Sequence, residues 1–335
     1  MIQPFWGYLS DRLQTVKKMI FWLWILAIIS SVALFNSGGS YVLTLCFVLA
    51  LYFFYQPSMP LLDSISVQSA ARRGSSYGSL RLFGSMGYTV VSLSGGLLLA
   101  VLGGITKLPY LLWGAWIVPL LLLIFLRDEP AEGEGMNLKA LKELFTNKSF
   151  LWFLFLVFII SVPHRMNDVM LGLYMKDLGA SDAMVGWAWA LAAAMEIPVF
   201  ALLGKYLNRI HEYVLIGIVG ILYTIRWFMY YVSDDPWVLL ALQAGAAITF
   251  AVFWIVCMHY VARILPPQLG ATGFSLLSMV YLGLAGMTGG VVGGRLTDLF
   301  GGASMYLFAT IVSFLGGIMF LATEIISRRR GLRVR

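Results

Sequence analysis

Gly7-Tyr8-Leu9-Ser10-Asp11-Arg12-Leu13, closed by Lys17-Lys18, runs directly into the apolar segment 19–36. One acid and three bases stand against a stretch long enough to cross a bilayer. The same alternation, a polar connection and then about 20 apolar residues, continues to the C-terminus.

The 335 residues are 60% hydrophobic and 12% charged, with a mean hydropathy of +0.85. Charge this sparse cannot cover a water-facing surface, which excludes a soluble globular domain. The apolar stretches are too long for barrel strands, so the chain reads as all-α and transmembrane. A formal charge of +7 invites a nucleic-acid reading, but the bases lie in loops between spans rather than on one soluble face. Cys46 and Cys257 lie deep in apolar segments and read as small hydrophobic fillers. No cleavable signal peptide is visible.

About ten full spans are expected, near 19–36, 41–68, 77–102, 108–126, 149–173, 183–203, 212–232, 237–262, 272–293 and 304–326. Their connections alternate in charge. The basic ones hold Arg12, Lys17 and Lys18; Arg72 and Arg73; Arg127, Lys139, Lys142 and Lys148; Lys205 and Arg209; Arg263; and the five arginines between 328 and 335. Those between them are poor in bases, down to the acidic pair Asp234-Asp235. The positive-inside rule therefore predicts that the first loop, the 127–148 connection and the C-terminus are cytoplasmic.

The polar 127–148 segment is the one expected boundary. It divides an N-terminal bundle, 1–126, from a six-helix bundle, 149–327, which ends in a basic tail, 328–335. Within it Leu138-Lys139-Ala140-Leu141-Lys142-Glu143-Leu144-Phe145 reads as an amphipathic stretch along the membrane surface. An internal repeat supports the division. Gly204-Lys205-Tyr206-Leu207-Asn208-Arg209 is a degenerate copy of the opening motif, and Gly78 with Gly95-Gly96 has a counterpart in Gly273 with Gly289-Gly290.

The opening motif resembles the loop between the second and third helices of major facilitator superfamily transporters, whose pattern is roughly Gly-x-Leu-Ala-Asp-Arg-x-Gly-Arg-Lys. Gln14-Thr15 stand where that pattern has Gly-Arg. Tyr77-Gly78-Ser79-Leu80-Arg81-Leu82-Phe83-Gly84-Ser85-Met86-Gly87-Tyr88 is similar to the fifth-helix signature of the branch of phenylpropionate and nucleoside proton symporters, itself similar to the lactose permease. Gly186-Trp187-Ala188-Trp189-Ala190-Leu191, Glu196-Ile197-Pro198, Arg226-Trp227, Leu242-Gln243 and Thr249-Phe250 fit its eighth to tenth helices. A His that often precedes the Thr-Phe pair is replaced by Ala246. The resemblance implies the major facilitator fold, two pseudo-symmetric helical bundles with about ten of twelve spans present. It also implies that a helix and most of its neighbour precede Met1.

An ionisable group inside a span costs about 3 kcal/mol or more, so each one needs a reason. Glu196 lies about 20 Å into its helix by rise and is the candidate proton carrier. Arg226, entering from the opposite face, is its candidate partner, about 10 Å away along the normal; the alternatives are that Arg226 snorkels outward or binds a carboxylate substrate directly. Asn167, His164 and Arg165 form, with Asp168, a polar cluster in the seventh helix. Asn167 is the expected substrate contact, with Gln56 and Trp187 as further cavity candidates. Asp11, Arg12, Asp63, Arg81 and Asp168 are gate candidates. Asp63 with Arg81 is an expected ion pair, and Asp11 an expected cap for the helix that starts near Gly270.

The sequence thus predicts a secondary active transporter, a multi-pass cell-membrane protein. It imports a small organic solute with protons, is expected as a monomer in the lipid bilayer, and uses no cofactor, metal or nucleic acid. No phosphate-binding loop, His-Glu-x-x-His pattern or cysteine cluster argues for an enzyme or an ATP-driven pump. The alternative is a non-transporting truncated product or transporter-like sensor.

Overall fold

The computed structural model describes residues 2–102, 104–126, 144–203 and 211–329. All regular structure among them is helical. In chain order the helices are α1 (Gln3–Leu13), α2 (Val16–Phe35), α3 (Tyr41–Tyr55), α4 (Ser58–Arg72), α5 (Tyr77–Leu102), α6 (Leu108–Phe125), α7 (Lys148–Asp177), α8 (Asp182–Leu203), α9 (Glu212–Tyr231), α10 (Pro236–Leu242), α11 (Val252–Ile264), α12 (Gly270–Ser278), α13 (Ala285–Phe300) and α14 (Gly302–Arg329). Among the described residues nine stretches are long and apolar enough to span a membrane, with α3–α4, α10–α11 and α12–α13 each counting as one. The 26-residue α5 lies over the third expected span, 77–102, and is about 39 Å long.

Several expected spans are internally broken. Pro57, which has no N–H to give, separates α3 from α4, and the Ser58 hydroxyl closes the gap on the Tyr55 carbonyl at 2.6 Å. Between α10 and α11 the backbone tightens into a 3₁₀ turn, Gln243–Ala246, then widens into a π turn, Ala247–Ala251. A second π turn, Met279–Leu284, joins α12 to α13. By contrast, Pro163 leaves α7 continuous over 30 residues. The polar cluster 163–168 is therefore mid-helix and not a helix end.

The chain forms two compact units. Unit 1 comprises Met1–Ser69, Ser94–Lys142 and Leu265–Met279. Its core gathers Ile20, Leu23, Trp24, Leu61, Leu123 and Ala271, with Trp6 and Phe54 against them. Trp113 Nε1 donates to Ser31 Oγ at 3.1 Å, tying α6 to α2. α1 approaches α12 through Gly7, where any Cβ would run into the Ser275 side chain and the Ala271 carbonyl. α1 ends at Gln14, whose φ of 51° is left-handed. That conformation explains why the family pattern has glycine here, since a side chain costs about 1 kcal/mol.

Unit 2 comprises Ala70–Leu93, Glu143–Ile264 and Val280–Arg335. Its core is aromatic, with Phe153, Tyr213, Tyr260 and Phe320 in one group and Trp227, Tyr230 and Tyr306 in another. α9 and α14 touch backbone to backbone. A Cβ on Gly220 would lie 2.5 Å from Gly317 Cα, so small residues set that helix spacing. Cys46 and Cys257 are both free, the first exposed and the second buried. The expected amphipathic stretch falls almost wholly outside the described residues, and the motif copy at 204–209 entirely so.

Candidate functional site

In unit 1 the opening motif delivers Asp11 to the start of α12. Asp11 Oδ1 accepts from the Ala271 N–H at 3.2 Å, and Oδ2 from the Thr272 N–H at 2.7 Å and the Thr272 hydroxyl at 2.6 Å. The first N–H groups of a helix have no partner within it and favour an anion. The carboxylate thus caps a helix 260 residues away. Arg12 is exposed and reaches the Tyr8 hydroxyl at 3.5 Å. Asp63 is half-buried on α4. Gln56 is half-buried at the α3–α4 break.

Unit 2 holds the other candidates. Glu196, half-buried on α8 one turn before Phe200, accepts from Ser85 Oγ on α5 at 3.0 Å. Its carboxyl group lies within the electrostatic reach of Arg81, Asp168 and Arg226. Among the described residues it has no ion-pair partner. Arg81 is drawn off to the ring of Phe200, 5.5 Å from its centroid. α5 can lie this close because Gly78 presents no Cβ to the Phe200 carbonyl.

Arg226 turns away from the carboxyl group. It is 94% buried on α9; Nη1 donates to Thr249 Oγ1 at 3.0 Å and Nη2 to Gln243 Oε1. The 3₁₀ turn carries Gln243 and the π turn Thr249, so the irregular backbone is what aims both acceptors at one guanidinium. The rings of Trp227 and Tyr230 lie 4.8 and 5.7 Å from the guanidinium carbon. Among the described residues Arg226 has no carboxylate partner.

On α7, Arg165 Nη1 binds Asp168 Oδ2 at 2.6 Å, and His164 Nε2 lies 3.6 Å from the same oxygen. His164 Nδ1 meets the Tyr223 hydroxyl at 3.1 Å, and its ring stacks on Phe250 at 5.0 Å and 9°. The second π turn supplies Tyr281, whose ring lies 5.5 Å from the Arg165 guanidinium carbon. His164, Arg165, Asp168, Tyr223, Arg226 and Glu196 thus form one electrostatic neighbourhood. Asn167, on the same helix, is 98% buried and accepts from the Tyr306 hydroxyl at 3.1 Å. That bond joins α7 to α14. Trp187 is half exposed and packs beside Trp237 at 6.5 Å.

Sequence reasoning passed over Ser85, Gln243, Thr249 and Tyr281 as members of this neighbourhood. Three of them are quoted in the family-like stretches, and that was the available signal. It also passed over Glu212, which is 95% buried and binds His259 Nδ1 at 3.0 Å and Arg263 Nε at 2.9 Å.

Span number, a cap joining distant segments, and buried charge inside spans define a membrane transporter rather than a catalyst. Residues 2–308 match the MFS_1 like family, and the chain belongs to it. It is a multi-pass membrane protein and a secondary active transporter of a small solute. The uncharacterized transporter YwbF of Bacillus subtilis (strain 168) is 25% identical over 326 residues, covering 94% of this chain and 78% of that one. A maltose permease of Geobacillus stearothermophilus is 24% identical, covering 95% and 81%. The crystal structure of the nucleoside transporter NupG superposes with a TM-score of 0.65 at 17% identity, covering 96% of this chain and 86% of that one. That likeness shows a shared fold, and the family match makes it the major facilitator fold.

Proposed function

We propose that the protein imports a small organic solute together with protons by alternating access, with Glu196 as the proton carrier. The observation that carries this reading is the company Glu196 keeps. Its bonded neighbour is a hydroxyl, Ser85 Oγ at 3.0 Å, and no cation pairs with it among the described residues. A hydroxyl donates to a carboxylate and accepts from a carboxylic acid equally well. Loading and release of a proton therefore need no rearrangement of the bonded partner. Arg226 stands in electrostatic range to assist release, and Asp168 balances Arg165 beside it. Motif likeness at 77–88 and 186–198 favours the phenylpropionate and nucleoside symporter branch. Loop charge favours cytoplasmic placement of the first loop and the C-terminus, in the cell membrane. The bundles 1–126 and 149–327 serve as the alternating halves of a monomer, with Asp11 as the gate residue.

The test is accumulation in vesicles of the reconstituted full chain. A solute is first found in a panel of maltose, a nucleoside and an aromatic carboxylate. A proton gradient equivalent to 100 mV is worth about 2.3 kcal/mol per proton and supports roughly 50-fold accumulation. Glu196→Gln is expected to bring the ratio to about one while solute exchange across the membrane persists. Acid-driven accumulation unchanged in Glu196→Gln would sink the assignment.

A further inference from the structure

Donors outnumber acceptors around Arg226. Three buried N–H groups there have no acceptor among the described residues: Nε of Arg226, Nε2 of Gln243 and Nε of Arg165. The Gln243 amide cannot be turned to remedy this. A guanidinium only donates, so it fixes Oε1 toward itself and leaves the NH₂ group outward. Arg226 and Gln243 are 94% and 99% buried. Glycines face both Arg Nε atoms. A Cβ on Gly245 would stand 3.6 Å from Nε of Arg226, and one on Gly286 would stand 3.8 Å from Nε of Arg165.

Charge points the same way. Asp168 neutralises Arg165, and Glu196 when ionised balances Arg81 within its electrostatic reach. Arg226 is left as one uncompensated positive charge in a buried place, which is unfavourable unless something pairs with it. A neutral sugar or nucleoside would supply acceptors but no charge. A dianion would overshoot while Glu196 is ionised.

We infer that the transported solute is an organic monoanion whose carboxylate is taken by the unmet donors of Arg226 and Gln243. The inference rests on the transport reading above and narrows its substrate class. A carboxylate offers the planar acceptor pair that a guanidinium edge fits. It has an electrical consequence: one monoanion and one proton carry no net charge, so transport follows the pH gradient and is indifferent to membrane potential.

Binding is tested apart from coupling. The purified full chain is heated with a thiol-reactive dye, which reads unfolding through the buried Cys257 over the constant signal of exposed Cys46. Probes at 10 mM are benzoate, 4-hydroxyphenylacetate, butyrate and gluconate, each beside its neutral amide, with maltose and uridine. At least one monocarboxylate is expected to raise the unfolding midpoint by roughly 3 °C or more, and its amide not to. Arg226→Gln should weaken that binding at least tenfold. So should Gly245→Ala, which keeps the arginine and sets a methyl group 3.3 Å from its Cδ and 3.6 Å from its Nε, so a folding defect in the first variant does not decide the matter. This binding is read with no proton gradient present, so failure of proton coupling would be seen separately. Stabilisation by maltose or uridine that survives Arg226→Gln overturns the inference, as does the absence of a shift with every carboxylate. For the solute so found, uptake in vesicles clamped with valinomycin should be unaltered by potential; a potential-driven current overturns the one-for-one balance.

Discussion

Replacing Asp11 by alanine removes both acceptor oxygens, and with them the three hydrogen bonds that hold α1 on α12, and leaves the Ala271 and Thr272 N–H groups uncapped. Loss of a helix cap costs about 0.5–2 kcal/mol. The Thr272 hydroxyl, bonded at 2.6 Å, adds about 1 kcal/mol before it finds another acceptor. The sum, about 1.5–3 kcal/mol, raises the open fraction of this contact roughly 10- to 150-fold. Ser275 is the reporter position. It is fully buried and its side chain faces Gly7, so a thiol there reacts only when α1 lifts. In a Ser275→Cys background, Asp11→Ala should speed site-resolved labelling of that thiol by a factor in this range. Any strain from the cysteine is common to both proteins and cancels. A rate changed less than twofold would mean that apolar packing around Gly7, and not the cap, holds the contact.

Gln14→Gly relieves a left-handed φ of 51° and should slow the same labelling a few-fold, about 0.5–1 kcal/mol; faster labelling would refute the strain argument. Adjacent glycines on α13 should behave oppositely. A Cβ on Gly289 would meet Met166 N at 2.8 Å and the Val162 carbonyl at 2.9 Å, whereas one on Gly290 meets nothing within 4 Å. Gly289→Ala should therefore cost about 1–3 kcal/mol and lower the thermal midpoint read at Cys257, with Gly290→Ala unchanged; equal effects would show that α7 and α13 are not in backbone contact. Glu212→Gln removes the charge shared by His259 and Arg263 and is expected to cost about 3 kcal/mol, with transport kinetics retained in the protein that folds. A midpoint within 1 °C of wild type would assign that cluster no structural weight.

What the sequence disclosed follows from what hydropathy can register. Spans and their order are legible because each is a long apolar run. Glu196 and Arg226 stand out because a charge in such a run is conspicuous. Asp11 could be matched to α12 because a motif carboxylate needs donors and a Gly-Ala-Thr-Gly helix start offers them. Gln243, Thr249, Ser85 and Tyr281 are neutral and blend into their helices, so their convergence on charged groups shows only in three dimensions. Asn167 was legible as polar but not as pointed: one residue from Met166 and Asp168, it faces α14 and spends its carbonyl on Tyr306. Rise along the helices put Arg226 near Glu196 in depth, yet the guanidinium bonds to the next span, because the 3₁₀ and π turns there bring two acceptors to it. No residue pattern announces such turns.

Those turns bear on how the two spans that carry them, α10–α11 and α12–α13, can move. A π turn holds one residue more than the α-helix around it needs. If that residue is drawn into regular helix, everything beyond it rotates by about 100° and advances about 1.5 Å, with nearly every backbone hydrogen bond re-formed. Thr249 and Phe250 ride on one such turn and Tyr281 on the other. Each span therefore carries a built-in screw, able to swing these side chains to a new bearing as the segment beyond the turn rotates. A single-residue deletion within 247–251 would lock the screw in its wound position.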